Sequence, residues 1–170
     1  MMDLDTIVQT AVDLLAPITL ETNRPVPRRI DIRIKPDDLV SAVTTLQNAN
    51  WGYLVAITGV DHPAPLTPEG KPDGEGSIEV LYSIGQGPVC LFLRVSVPYS
   101  AARVPTLCGL IPSATLYERE LMELFGVEVI GTPDTRRLIV ADEWPEGVYP
   151  MRKSFKSTRT LRIDEEGTRV

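Results

Sequence analysis

Two apolar stretches, residues 77–84 and 89–97, are joined by only four residues, Gly85-Gln86-Gly87-Pro88. So short and glycine-rich a connection leaves the chain no route except straight back beside itself, as a β-hairpin. The sheet that contains this hairpin is therefore at least partly antiparallel. A third strand is read from Ile30, Ile32 and Ile34, which alternate with Asp31, Arg33 and Lys35. That period of two describes a strand with one buried face. Residues 53–58 form a fourth.

Helices alternate with these strands. Leu4, Ile7, Val8, Ala11, Leu14 and Leu15 recur at helical spacing, and Pro17 ends the run. Pro36 opens a second helix, where its missing N–H costs nothing, with Leu39, Val40, Val43 and Leu46 as the expected buried face. The resulting fold is α+β: a single domain, a mostly antiparallel sheet with helices packed on it, and an extended C-terminal tail. The domain is placed at residues 1–150 and the tail at 151–170.

The 170 residues are 43% hydrophobic, enough for a substantial core. The net charge of −6 argues against nucleic acid as a partner, since phosphate binding requires an excess of Lys and Arg. Cys90 and Cys108 form no CxxC pair and read as inert core thiols. The stretch from Met1 to Pro17, broken by Asp3, Asp5 and Asp13, does not read as a signal peptide, and no run approaches the roughly 20 apolar residues that span a bilayer. Residues 61–76 are rich in Pro and Gly and read as a loop that carries His62, the only histidine, as surface decoration. The tail holds six Lys/Arg against three Asp/Glu, or +3, whereas the first 150 residues hold eleven against twenty, or −9. Met151, Phe155, Leu161 and Ile163 are spaced through it, which suggests a partner-binding extension.

A third helix carries the sharpest information. Ser113 is a suitable N-cap and Gly126 a suitable C′ residue for a helix over 114–125. At about 100° per residue, Ala114, Tyr117, Leu121, Leu124 and Phe125 share one arc, with Arg119, Glu120 and Glu123 mostly opposite. Glu118 falls inside the apolar arc. A buried carboxylate must be paired or neutralised. Three readings stand: a general acid at a pocket, an ion pair within the protein, or a charge facing a partner's arginine. Arg136 or Arg137 is the expected cation, with Arg152 next. A free-standing enzyme using Glu118, Glu120 or Glu123 is the remote alternative. Glu118 and Glu120 diverge by about 200°, and Glu120 and Glu123 share a polar face.

The run Glu118-Arg119-Glu120-Leu121-Met122-Glu123-Leu124-Phe125-Gly126 resembles the 30-kDa subunit family of respiratory complex I and its relatives in energy-converting hydrogenases and formate hydrogenlyases. Gly131-Thr132-Pro133-Asp134-Thr135-Arg136-Arg137-Leu138 follows in the family's order, as does Trp144-Pro145-Glu146-Gly147-Val148-Tyr149-Pro150-Met151-Arg152-Lys153. Ile57-Thr58-Gly59-Val60-Asp61 and Val104-Pro105-Thr106-Leu107 also fit, so the likeness covers roughly residues 30–155.

The resemblance implies a non-catalytic structural subunit in the peripheral, cytoplasmic arm of a membrane-bound redox complex, held at the membrane by its partners. Those partners would be the large hydrogenase-like (49-kDa-type) subunit and iron–sulfur subunits, with membrane subunits reached indirectly. It implies no cofactor in this chain; iron–sulfur clusters, with or without nickel–iron, would sit in neighbours. Glu118, Arg119, Glu120, Glu123, Phe125, Gly126, Arg136, Arg137, Pro150, Arg152 and Lys153 become the expected interface and structural positions. Gly131-Thr132-Pro133 stands where complex I members usually have Gly-His-Pro. Together with the longer Trp-Pro-Glu-Gly-Val-Tyr-Pro form, this favours the hydrogenase or formate-hydrogenlyase branch over NADH:quinone oxidoreductase. Met151 and Ser154 depart from the usual Leu and Asp of both branches.

Overall fold

The computed structural model describes residues 3–156. Its elements run α1 (Leu4–Leu15), β1 (Glu21–Val26), β2 (Arg29–Ile34), α2 (Leu39–Asn48), β3 (Tyr53–His62), β4 (Ser77–Gln86), β5 (Val89–Pro98), β6 (Arg103–Pro105), α3 (Ala114–Phe125) and β7 (Glu128–Ile130). Five strands form one sheet in the order β1-β2-β5-β4-β3, and β6 and β7 form a small parallel pair. Within the large sheet only β2 and β5 run parallel; the other pairings are antiparallel, as the hairpin requires.

The alternation of β2 and β5 sorts their residues onto two faces. Ile30, Ile32, Ile34, Leu91, Leu93 and Val95 point inward and are at most 1% exposed. The three helices cover that face with Ile7, Val8, Ala11 and Leu15 from α1, Leu39, Ala42, Val43 and Leu46 from α2, and Ala114, Leu121 and Phe125 from α3. Trp51 closes the gap between α1 and α2 and donates its indole N–H to the Ile7 carbonyl at 3.1 Å. Burying this set at about 25 cal/mol per Å² supplies the main drive for folding.

Several boundaries differ from those read in the sequence. Val40 is 37% exposed and Ala42 takes its place in the core, because Val40 lies about 100° round the helix from Leu39. Strand β1 was not legible, since all six of its residues are exposed and Pro25 interrupts it. Strand β3 does not stop at Thr58; pairing continues through Asp61↔Ile78 to His62↔Ser77. His62 is thus a strand residue, with Nε2 3.4 Å from Glu79. Both cysteines are half-buried rather than sealed in the core.

Candidate functional site

Helix α3 spans the residues its sequence predicts. Gly126 ends it in the left-handed conformation at φ 67°, and its N–H reaches the Met122 carbonyl at 3.0 Å. The N-terminus forms differently from the expectation. Ser113 makes no side-chain cap. The chain instead winds in through tight turns, with Ile111 N–H to Leu107 O at 2.8 Å and Ala114 N–H to Ile111 O at 2.9 Å.

Glu118 is 2% exposed, as its place on the apolar arc requires. Its partners are not arginines. The Leu107 N–H donates to one oxygen at 2.7 Å, while the Thr106 hydroxyl at 2.8 Å and the Cys108 thiol at 3.2 Å donate to the other. Thr106 in turn accepts the Cys108 N–H at 3.0 Å. Three neutral donors thus satisfy a group that can only accept. The carboxylate ties α3 to the turn that follows β6. The three arginines proposed for it are engaged elsewhere.

Residues 131–156 form a strap without helix or strand. Such backbone cannot satisfy its polar groups in a ladder, so side chains must do it. Arg119, expected on a solvated face, has a side chain only 11% exposed and ion-pairs with Asp134 at 3.3 Å. It also donates to the carbonyls of Arg136 at 2.7 Å and Arg137 at 2.6 Å. One turn on, the Glu123 carboxylate accepts three consecutive amides, from Leu138, Ile139 at 2.7 Å and Val140 at 3.0 Å. Glu120, between them, is half-buried. Arg136 points outward, 83% exposed, and forks onto Asp134, holding that carboxyl well below its usual range. Arg137 folds back to the carbonyls of Ala141 and Asp142.

The far end of the strap is fastened as firmly. Met151 N–H reaches Leu124 O at 3.1 Å, and Arg152 Nε reaches Phe125 O at 2.7 Å. These are carbonyls at the end of α3, the negative pole of the helix, where a cation is favoured. The Arg152 guanidinium lies 4.8 Å from the Tyr99 ring centre and 4.9 Å from that of Tyr149. Tyr149 also covers Gly126 so closely that a Cβ there would enter the ring. Pro150 is half-buried beside it, while the Lys153 side chain is exposed. The Lys153 N–H donates to Asp61 at 2.7 Å.

Asp61, 4% exposed, accepts the Tyr99 hydroxyl on its other oxygen at 2.5 Å. Burial and this hydrogen bond push the Tyr99 hydroxyl up to about 12. Asp61 shares the inward face of β3 with Ile57 and Gly59, and Gly59 admits the Phe125 ring where a Cβ would stand 2.7 Å from it. A period-two count carried on from Ile57 would have marked Asp61 as inward-facing. Thr106, Cys108 and Tyr99 left no such trace.

The motif residues thus clamp a strap rather than converge on a pocket. A cleft of about 370 Å³ between α3 and the strap is lined in part by Met122, Glu123, Arg137, Trp144 and Tyr149. Of these, Glu123 and Arg137 already hold backbone groups of the strap. Outward from the strap stand Leu138 (38% exposed), Ile139 (56%) and Met151 (56%). Residues 151–156 lie against the body; Leu161, Ile163 and the rest of 157–170 fall outside the described residues. Among the described residues no three His, Cys, Asp or Glu gather as a metal ion would need, and no helix is long and apolar enough to cross a membrane.

Comparison with known proteins fits this geometry. The family described as "Respiratory-chain NADH dehydrogenase, 30 Kd subunit" matches residues 32–161. Formate hydrogenlyase subunit 5 of Escherichia coli is 29% identical over 132 residues, covering 77% of this chain but only 22% of that protein. The NADH-quinone oxidoreductase C-type subunit of Neorickettsia sennetsu is 31% identical over 149 residues, covering 85% of this chain and 74% of the relative. A chain of the membrane-bound sulfane sulfur reductase, an archaeal respiratory membrane complex, superposes with a TM-score of 0.74 at 25% identity, over 95% of this chain and 91% of that one. The chain belongs to the family of the 30-kDa subunit of the respiratory-chain NADH dehydrogenase.

Proposed function

We propose that this chain is a structural docking subunit in the peripheral arm of a membrane-bound redox complex, seated on the large hydrogenase-type subunit. One observation carries the reading. Arg119, Glu123, Arg152 and Asp61 are spent on fixing an irregular strap, and that strap turns Leu138, Ile139 and Met151 outward. Ordering a strap through buried polar contacts only to expose apolar side chains makes sense for a surface prepared for a partner. Arg136 and Lys153 stand on the same strap as cations for the rim of such an interface.

Redox cofactors, iron–sulfur clusters with or without nickel–iron, belong in this reading to neighbouring subunits. The peripheral arm that holds this chain lies on the cytoplasmic side of the membrane, and residues 151–170 extend the contact. The hydrogenase or formate-hydrogenlyase branch is favoured by the Trp144-Pro145-Glu146-Gly147-Val148-Tyr149-Pro150 form and by the 29% identity to formate hydrogenlyase subunit 5 of Escherichia coli. The NADH:quinone branch is the second reading, supported by the 31% identity to the Neorickettsia sennetsu relative over most of its length.

The test is native mass spectrometry of material recovered from membranes through a tag on this chain. The expected result is a stoichiometric large hydrogenase-type subunit with iron–sulfur subunits and co-fractionating hydrogen turnover. NADH:quinone reductase activity in its place would move the chain to the second branch. Recovery as a lone chain would overturn both.

A further inference from the structure

The two edges of the five-stranded sheet are built differently. Edge β1 carries Glu21, Arg24 and Pro25, and its pairing with β2 slips between Asn23 and Val26. Charge, proline and a bulge are the usual devices that stop a sheet edge from recruiting another strand. Edge β3 shares only the bulge, between Leu54 and Ala56, and its one carboxylate, Asp61, is buried at the far end. From Tyr53 to Val60 it has no charged residue and no proline. Tyr53 is 71% and Val55 43% exposed, although β-rich apolar residues of this kind are those a sheet normally covers. Its ladder partner is β4. Among the described residues no hydrogen bond from another segment reaches the backbone of 53–60. Helix α3 meets this strand on its inner face, at Gly59.

At the Tyr53 end of that edge lies a cavity of about 400 Å³. Val43, Leu46, Trp51, Leu54, Leu110 and Ile111 are among its lining, and no charged residue is. An open hydrogen-bonding edge thus leads directly to a socket for an apolar side chain. This pairing of ladder and socket is how sheets take up extended peptides: the main chain supplies affinity and the socket supplies register.

We propose that residues 53–58 accept an added β-strand from another subunit of the assembly, an uncharged extended segment that seats one large apolar side chain in the cavity beside Tyr53. The inference rests on the membership in a complex proposed above. A second copy of this chain fits poorly. Two β3 edges related by a two-fold axis run antiparallel, so the copy would bring Asp61, His62 and its loop 63–76 to the Tyr53 end. The apolar socket would then face a carboxylate and a proline-rich loop.

The test uses the full chain in its purified complex. A photo-crosslinking residue is placed at Thr58, whose side chain is exposed, and amide exchange is read over 53–58 in the free chain and in the complex. The expected result is a crosslink to one short segment of a different subunit, with the amides not paired to β4 protected only in the complex. Tyr53→Lys and Val55→Lys alter exposed side chains, so each variant keeps its melting temperature, and each lowers recovery of the chain in the complex by about tenfold. A crosslink to a second copy overturns the proposal. So does equal exchange in both states while the complex remains intact, which leaves the docking-subunit reading standing. Failure to recover any complex defeats that reading and this inference together.

Discussion

Glu79 and Glu118 are both buried carboxylates, 4% and 2% exposed, yet they are satisfied in opposite ways. Glu79, on the outer face of β4, is gripped by Arg94 through Nε at 3.0 Å and a second guanidinium nitrogen at 2.6 Å. The same arginine reaches Asp31 at 3.1 Å, so one cation spans two buried acids. Glu118 is held by a backbone amide, a hydroxyl and a thiol. The difference follows from where each sits. In the middle of a sheet every amide is consumed by the ladder, so only a side chain can serve an acid there. At the junction of α3 with the irregular turn 106–108 the amides are free, and a carboxylate needs no cation. Burial forces a partner on an acid; the surrounding backbone decides which kind.

Arg94→Met should have the largest effect, because it leaves buried Glu79 with only His62 at 3.4 Å, while Asp31 keeps Arg29 at 2.7 and 2.9 Å. Breaking a buried pair from one side costs about 4 kcal/mol, or a drop of roughly 10 °C in Tm. Denaturant titration measures it. The variant should also invert the pH dependence. In the native protein burial pushes the Glu79 carboxyl up, but the hydrogen bonds and charge of Arg94, helped by His62, outweigh this and leave it below its ordinary 4.5. The unfolded chain then takes the proton first, so Glu79's contribution is present above that pH and fades as pH falls through the folded value. Without Arg94 burial prevails and the folded state takes the proton first. The deficit of the variant should therefore shrink as pH falls from 7 toward 5. A deficit that stays constant over that range would mean Arg94 serves mainly as packing.

Glu118→Leu comes next, at about 3 kcal/mol, since it leaves the Leu107 amide and Thr106 hydroxyl buried without an acceptor. Glu118→Gln keeps one acceptor oxygen and should cost only about 1 kcal/mol. That ratio sharpens the comparison. If Gln costs as much as Leu, the charge itself is required and the neutral-donor account of Glu118 fails. The corresponding change at Glu79 to Gln should not be mild, because it leaves Arg94 facing one acid instead of two.

What could be read from the sequence was what local chemistry decides. Helix α3 was legible to the residue, because Ser113 and Gly126 bracket it and its apolar arc is broken only by Glu118. The burial of Glu118 followed from the same arc. Its partners did not, because Thr106, Leu107 and Cys108 reach it through a turn whose path is set by β6 and β7. Arg119 and Glu123 sit on the polar side, where periodicity alone suggests solvent; only the tertiary course of the strap turns them into clamps. Edge β1 was invisible for the converse reason, having no buried face to print a period on the chain. Asp61 lay three residues beyond Thr58, where the alternation was followed no further.

Glu123 extends the comparison to a third carboxylate, half-exposed, and the smallest effect is expected there. It too accepts backbone amides, those of Leu138, Ile139 and Val140. These belong to the strap, however, and not to the core. A strap held by polar contacts over few buried apolar groups should open locally, below the global unfolding free energy. Glu123→Gln retains one oxygen for three amides. It should change Tm by less than about 2 °C yet speed exchange of the amides at 138–140 by roughly tenfold, equivalent to about 1.4 kcal/mol of local opening. Amide exchange followed by mass spectrometry or NMR reads both regions at once, with β4 and β5 as the unchanged reference. Were exchange to rise equally in β4 and at 138–140, the strap would be part of the cooperative core and Glu123 would rank with Glu118. If only 138–140 quickens, the carboxylates divide by what they hold: Glu79 and Glu118 the fold, Glu123 the surface presented to a partner.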